Sequence, residues 1–310
     1  MHIVISEFMD DHAVAMLAAR FDVHYDASLV EREPELRRSL ASADALIVRN
    51  RTQVTAALID AAPKLSVVGR LGVGLDNIDS PACAARGVTV IPATGANAQA
   101  VAEYVIAAAM VLLRGAYGST PAVANGEWPR IVLSEGRELS GKTLGLIGFG
   151  SIGRVTGRLG RLVGTRVAGF DANLPVTSPV WDEEATSGRT LDQLLAEADV
   201  VSLHVPLTPE TRDLIDVANL AQMKPHAILI NTSRGGVVDE AALANALRAG
   251  KLGGAALDVF DQEPLGAGSL LAHCPRLLLT PHIAGVTRES NVRVSKLIAE
   301  RVAAALSARK

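Results

Sequence analysis

The stretch KTLGLIGFGSIGR, residues 142–154, decides the fold. An apolar, β-rich run, TLGLIG, leads straight into a Gly-x-Gly-x-x-Gly set at Gly148, Gly150 and Gly153. In a strand–turn–helix unit the first glycine permits the tight turn. The second lets the backbone approach a pyrophosphate, and the third lets helix and strand pack closely. A helix opening near Ser151 and Ile152 would aim its free N–H groups at the phosphates. A second strand, RVAGF, runs into Asp171, eighteen residues after Gly153, where an acid would bind the adenosine ribose 2′-OH. An acid there repels a 2′-phosphate, and no Arg or Lys follows at once, so NAD is expected over NADP. The plainer reading is a glycine-rich turn with a capping Asp. The flanking strands and helix argue against it.

Outward from this unit, short apolar runs recur: HIVIS at 2–6, ALIV at 45–48, SVVG at 66–69, VTVI at 88–91, VVSLHV at 200–205, AILIN at 227–231, GGAALDV at 253–259 and RLLLT at 276–280. Helical patterns such as TLDQLLAEA and DEAALANALRAG lie between them. Strands this apolar on both faces fit parallel sheets covered on both sides. The fold class is therefore α/β, with two Rossmann-like or flavodoxin-like doubly wound parallel-sheet domains and a cleft expected between them. Long Ala-rich helical segments, at about 97–114 and 286–307, bracket the second strand set. Residues 1–96 plus 285–310 are expected to form a discontinuous substrate domain, and 97–284 the NAD-binding domain. Segment 115–141 reads as an irregular arm, and Trp128 and Pro129 in it suit either a subunit contact or a surface loop.

The 310 residues suffice for two domains. Hydrophobic residues make up 49% and aromatics only 3%, so Ala, Val, Leu and Ile must build the cores. A net charge of -3 without charge blocks argues against nucleic acid or a membrane surface as partner. Cys83 and Cys274 have no metal-like spacing, so no metal and no disulfide framework is expected, and a cytoplasmic setting is. The N-terminus has acids where a signal peptide has a basic leader. The longest apolar stretch, Gln99 to Leu113, contains Glu103 and is too short to span a bilayer.

Three side chains close strand–loop transitions in the cofactor-binding half. Arg234, in LINTSRGGVVDE, can grip a carboxylate with two parallel hydrogen bonds, or simply pair with Asp239 or Glu240 at the surface. Glu263, in ALDVFDQEPL, and His282, in TPHIAG, would each more often be structural if alone. Together they suggest a proton donor to a ketone oxygen, because an imidazole beside a carboxylate holds its proton in a fixed orientation.

Nearly the whole chain resembles the D-2-hydroxyacid dehydrogenase family. The stretches that carry this are GRLGVGLDNID, NAQAVAEYVIAAAM, LGLIGFGSIGR, HVPLTPETRDLI, LINTSRGGVVDEAAL, ALDVFDQEP and TPHIAG. The resemblance implies NAD-dependent, reversible hydride transfer between a 2-hydroxy acid and its 2-keto acid. Arg234 would bind the substrate carboxylate, Glu263 would pair with His282, and His282 would move the proton. Asp258 would contact the nicotinamide amide. His204, Val205, Pro206, Thr211, Thr232, Ser233, Ala284 and Gly285 would line the NAD site with the glycine turn. Leu71, Gly72, Val73 and Gly74 would offer N–H groups to the substrate carboxylate, and Asn97 would sit near the hinge. The family often has serine at the position of Ala100, and Glu263 separates the chain from the formate dehydrogenase branch.

Arg49 and Arg51, flanking Asn50 after ALIV, are expected to face the substrate, either binding a second anion or lying as surface residues. Candidate substrates are 3-phosphoglycerate, 3-sulfolactate and glycerate or hydroxypyruvate, the last implying a glyoxylate/hydroxypyruvate reductase. Some features resemble the sulfolactate branch. A chain ending at Lys310 is expected to lack a serine-sensing regulatory domain. A homodimer is expected from the resemblance and the arm. The alternative of another class is a non-catalytic, NAD-sensing scaffold like the family's corepressor relatives.

Overall fold

The structure, a computed structural model, describes residues 1–309. The first part of the chain gives β1 (His2–Ile5), α1 (Asp11–Ala18), β2 (Asp22–Tyr25), α2 (Glu33–Leu40), β3 (Ala45–Val48), α3 (Ala56–Asp60), β4 (Val67–Arg70), α4 (Ser80–Ala85) and β5 (Thr89–Pro92). The middle gives α5 (Ala98–Arg114), α6 (Thr120–Ala124), α7 (Arg130–Leu133), β6 (Thr143–Ile147), α8 (Ser151–Leu162), β7 (Arg166–Phe170), α9 (Pro179–Glu183), β8 (Ser187–Gly188), α10 (Leu191–Glu197) and β9 (Val200–Leu203). It continues with α11 (Val217–Gln222), β10 (Ile228–Asn231), α12 (Glu240–Arg248), β11 (Gly254–Leu257) and β12 (Leu277–Leu279), and α13 (Arg288–Ser307) closes the chain.

Two compact units result. One holds Met1–Asn97 with the segment from Val286, the other Ala98–Gly285. The expected boundaries lie one residue short of these. In the first unit the sheet order is β2-β1-β3-β4-β5, all parallel. The order reverses between β1 and β3, so their carboxyl ends form the crevice where such sheets bind ligands. The α13 helix belongs to this unit because Val294, Ile298 and Val302 bury themselves against Ile3, Ile47 and Val67. Gly69 makes room for it: a side chain there would strike Val302 and Ile298.

The second unit has the order β12-β11-β10-β9-β6-β7-β8, also all parallel, with its reversal between β6 and β9. Every residue of β6, β9, β10 and β11 is buried, as expected where helices cover both faces. Val105, Ala109 and Leu112 of α5 pack with Leu144 and Leu146 of β6 on one face. Leu194, Leu243 and Leu247 cover the other.

Two strands lie outside the apolar runs of the sequence. The β2 strand, DVHY, and the two-residue β8 are sheet edges, half-solvated and polar, and leave no continuous apolar signal. The expected irregular arm is partly helical: it holds α6 and α7, the former started by Pro121 in its first turn. Cys83 is buried, Cys274 partly exposed, and both are free. Among the described residues no single helix is long and apolar enough to cross a membrane.

Candidate active site

The glycine turn follows β6. Gly148 has φ +93°, and a side chain there would collide with the His204 carbonyl, which β9 brings alongside. A Cβ on Gly153 would collide with the Gly148 carbonyl oxygen, so helix and strand meet only without one. At Gly150 the space is open. Gly150 is also the N-cap of α8 and contributes no side-chain cap, which leaves the N–H groups of Ser151, Ile152 and Gly153 directed outward. Asp171 is held at this turn: its Oδ2 accepts the Phe149 N–H at 2.8 Å and its Oδ1 the Asn173 N–H at 2.9 Å.

Around the turn, the His204 ring bonds Ser202 Oγ at 3.0 Å, and burial pushes its pKa down to about 3, so it is neutral at working pH. The loop after β9, with Val205 and Pro206, is stapled by Thr211, whose hydroxyl donates to the Pro206 carbonyl at 2.6 Å and accepts the Thr208 N–H at 2.8 Å. Thr232 carries a buried hydroxyl without a hydrogen-bond partner among the described residues. An open cradle, an uncapped helix start, a fixed acid and an orphaned hydroxyl together suit a dinucleotide.

The Arg234 turn extends β10. Asn231 organises it, accepting from the Ser233 N–H and Oγ at 3.0 and 2.7 Å and donating to the Arg234 carbonyl at 2.9 Å. The Arg234 guanidinium donates to the Ser233 carbonyl at 2.6 Å. Gly235 lets this turn pass against the Phe260 backbone, where any side chain would collide. The 258–263 loop is thereby brought beside it. Glu240 holds that loop by accepting the Asp261 N–H at 2.8 Å. Burial pushes the Glu240 carboxyl pKa up.

Glu263 uses Oε1 to accept the Phe260 N–H at 3.1 Å and Oε2 to meet His282 Nδ1 at 2.8 Å. The pair is half-exposed, and Nε2 of His282 makes no hydrogen bond to the described residues. His282 lies in the left-handed region at φ +56°, uncommon for a residue with a side chain. Asp258, next to β11 and 1% exposed, receives the Ile283 and Ala284 N–H groups on its carboxylate at 2.8 and 2.7 Å. The Ala284 N–H is thus used within the protein, and Ala284 itself is buried.

In the first unit the sequence-derived residues separate into two groups. Arg49 is part-buried at the β1/β3 reversal, bonded to Asn291 Oδ1 at 2.8 Å, and burial pushes its pKa down while the Glu7 carboxylate opposes that. Arg51 is turned instead to Glu31, 3.1 Å away on the surface, so the two arginines do not act as a pair. Glu7 was not apparent as a site residue. It is buried, and its carboxylate accepts the N–H groups of Arg49, Thr52 and Arg51 at 2.9, 2.9 and 3.1 Å, shaping the loop after β3.

The 71–74 loop also departs from expectation. The Leu71 N–H continues the ladder to the Val48 carbonyl at 2.8 Å, and the Gly72 N–H turns back to Arg70 at 2.7 Å. Leu71 and Gly72 therefore have no N–H left for a substrate, which leaves Val73 and Gly74. Arg70 ends β4, paired in register with Val48 of β3, and its guanidinium fills the space above Gly72 that a side chain would take. Asn97 holds a buried Oδ1 with no hydrogen-bond partner among the described residues.

Comparison with known proteins matches this arrangement to one family. Residues 106–284 fit the family described as D-isomer specific 2-hydroxyacid dehydrogenase, NAD binding domain. A (S)-sulfolactate dehydrogenase of Chromohalobacter salexigens is 52% identical over 307 residues, 99% of either chain. A D-3-phosphoglycerate dehydrogenase of Synechocystis sp. is 37% identical over 302 residues, 97% of this chain but 53% of its own length. The chain thus spans about half of that protein. The crystal structure of TT0316 protein from Thermus thermophilus superposes with a TM-score of 0.87 and 34% identity, covering 99% of this chain and 97% of that one.

Proposed function

The chain belongs to the D-isomer specific 2-hydroxyacid dehydrogenase family, and on that premise we propose that its substrate is 3-sulfolactate, oxidised reversibly to 3-sulfopyruvate. The protein is an NAD-dependent 2-hydroxyacid dehydrogenase. The Gly148–Gly153 turn and Asp171 would hold NAD(H), which when bound would supply a hydride to the keto carbon or accept one from the carbinol. For reduction, the Arg234 guanidinium grips the substrate carboxylate and draws electron density from the adjacent carbonyl. His282 Nε2 gives its proton to the carbonyl oxygen as the carbon becomes a carbinol. Glu263, on Nδ1, fixes the ring and stabilises the imidazolium that must form before each reduction. In oxidation, neutral His282 takes the hydroxyl proton. The observation that carries this reading is the 2.8 Å hydrogen bond between His282 Nδ1 and Glu263, with Nε2 left without a partner among the described residues.

The second anion of the substrate is assigned to Arg49 and Arg70, which close the neighbouring strands β3 and β4. Glu7 beside Arg49 offsets part of the positive charge, which suits a sulfonate with one charge better than a phosphate with nearly two. Val73 and Gly74 supply the remaining N–H groups, and Asp171 keeps the preference for NAD over NADP. We assign the protein to the cytoplasm and infer a homodimer joined through the 115–141 arm. Support for the dimer comes from exposed Tyr117, Trp128, Ile131 and Val132.

The test is NADH oxidation with 3-sulfopyruvate, phosphohydroxypyruvate, hydroxypyruvate, glyoxylate and pyruvate. The expected result is a kcat/KM for 3-sulfopyruvate at least roughly 10-fold above hydroxypyruvate, the worth of one charge-assisted contact. Equal use of pyruvate would overturn the second-anion assignment, and preference for phosphohydroxypyruvate would make the anion a phosphate. NADPH at equal concentration should be the poorer reductant.

A further inference from the structure

The loop that presents His282 is held by a chain of hydrogen bonds that begins far from it in sequence, on the part-buried Tyr104 of α5, and ends on the buried Asp258. Three successive N–H groups, of His282, Ile283 and Ala284, reach one residue, the first of them shared with the Thr280 carbonyl at 3.0 Å. They bond the Asp258 main-chain oxygen, Oδ1 and Oδ2 at 2.8, 2.8 and 2.7 Å. The Ile283 and Ala284 amides form a nest for an anion, and here the anion is a side chain of the protein itself. Asp258 Oδ1 also accepts the Thr280 hydroxyl at 2.6 Å. Tyr104 Oη lies 2.6 Å from Thr280 Oγ1.

The direction of the chain follows from its chemistry. A carboxylate only accepts, so Thr280 must give its single hydroxyl hydrogen to Asp258. Thr280 can then only accept from Tyr104, which must donate. Burial pushes the Tyr104 pKa up, so it stays a phenol with a hydrogen to give. Each donor in such a series polarises the next. The strained φ of His282 persists because this surrounding structure over-determines it.

We propose that Tyr104 and Thr280 are positioning residues for the proton transfer, aligning His282 with Glu263 through the Asp258 nest. Neither has a role in the chemistry derived above, and the inference rests on the reading of His282 as the residue that moves the proton. Their hydroxyls act on orientation, so they set turnover more than substrate affinity.

The test uses the whole protein with NADH and 3-sulfopyruvate, alongside amide hydrogen exchange over residues 280–286. In Thr280→Val the hydroxyl is replaced at nearly constant volume. Its kcat should fall roughly 10- to 100-fold, the range for a lost hydrogen bond to a charged group, with KM and NADH affinity within about 3-fold of the parent. The Ile283 and Ala284 amides should exchange roughly 10-fold faster or more. Thr280→Ser should restore both quantities to within about 3-fold, which a mere packing role would not do. Tyr104→Phe should lower kcat by roughly 3- to 10-fold, and adding it to Thr280→Val should lower kcat no further, because the chain is already broken. Should Thr280→Val fail to fold, the Tyr104→Phe and Thr280→Ser arms decide alone. Parental kcat and exchange in a folded Thr280→Val, or in Tyr104→Phe, overturn the proposal. So does a Thr280→Ser protein as slow as the Val one. Failure of the underlying reading looks different: His282→Ala would then turn over normally while the exchange effects remained.

Discussion

About half of the His282 side chain and a third of the Glu263 side chain meet solvent, so their hydrogen-bonded pair adds little to folding stability. A contact that stabilises so little, presented on a strained backbone, is better explained by what it does to a substrate. His282→Gln should keep a urea-unfolding free energy within about 0.5 kcal/mol of the parent, as exposed pairs do. Its kcat for 2-keto acid reduction should fall by roughly 100- to 10,000-fold, the usual contribution of a positioned acid–base group. Glu263→Gln keeps an acceptor for the ring but loses the charge, so the expected drop in kcat is smaller, roughly 10- to 100-fold. In both variants NADH affinity, read by fluorescence quenching, should change little. Loss of NADH binding in step with kcat would place the pair in cofactor binding instead of proton transfer. His204 offers a second test, of stability against pH. Its folded pKa of about 3 lies below the unfolded value near 6.5, so the unfolded chain binds more protons between the two. Its stabilising contribution is therefore full above pH 6.5 and fades as pH falls through that window. Between pH 7 and 4 the parent should lose about 2–3 kcal/mol more than His204→Asn in urea titrations. Parallel curves for the two proteins would show that the ring is already hydrated in the fold.

The strand–turn–helix element of β6 and α8 separates packing from binding, glycine by glycine. Gly153→Ala puts a methyl against the Gly148 carbonyl, which is backbone and cannot step aside. A cost of about 1–3 kcal/mol in unfolding free energy follows, together with loss of NAD affinity. Gly150→Ala meets nothing within 4 Å, so stability should stay within about 0.5 kcal/mol, as at other unconstrained positions. Its methyl nonetheless occupies the approach of the pyrophosphate, and NADH affinity should fall roughly 10-fold or more. Equal NADH affinity in Gly150→Ala and the parent would remove the phosphates from that cradle. This element was legible in the sequence because each requirement is local: an apolar strand, three glycines at fixed spacing, and an acid one strand later. The interior strands were legible for a similar reason, since burial on both faces leaves an uninterrupted apolar run, whereas DVHY at an edge leaves none. Arg234, Glu263 and His282 could be singled out because each follows a strand on the carboxyl side of a parallel sheet. The contacts that support them were not legible. Tyr104 lies 176 residues from Thr280 and Glu7 42 from Arg49, and no period or motif marks either link. The use of the Leu71 and Gly72 N–H groups within the fold depends on sheet register and a backbone turn, which composition does not reveal.

At the scale of the whole molecule the apolar surface is unevenly spread. The central strands of both sheets are buried, yet the 115–141 arm leaves Trp128, Ile131 and Val132 more than three-quarters exposed. Val123, Trp128, Pro129, Arg130, Leu133 and Ser134 line an open, mostly apolar groove there. Single exposed apolar residues are ordinary, but a contiguous set containing tryptophan suits the proposed subunit contact. In the proposed homodimer a second copy of the same chain would cover it, because a two-fold interface pairs one patch with itself. Deleting residues 118–134 should therefore convert a dimer into a monomer in sedimentation velocity. Trp128→Ala with Ile131→Ser should weaken self-association by roughly 100-fold or more, as two central apolar anchors do when truncated. Each unit keeps its own core in these variants, so unfolding midpoints at high protein concentration should drop only by the lost association. A deletion protein that still sediments as a dimer would move the subunit contact to another face and leave the arm without this role.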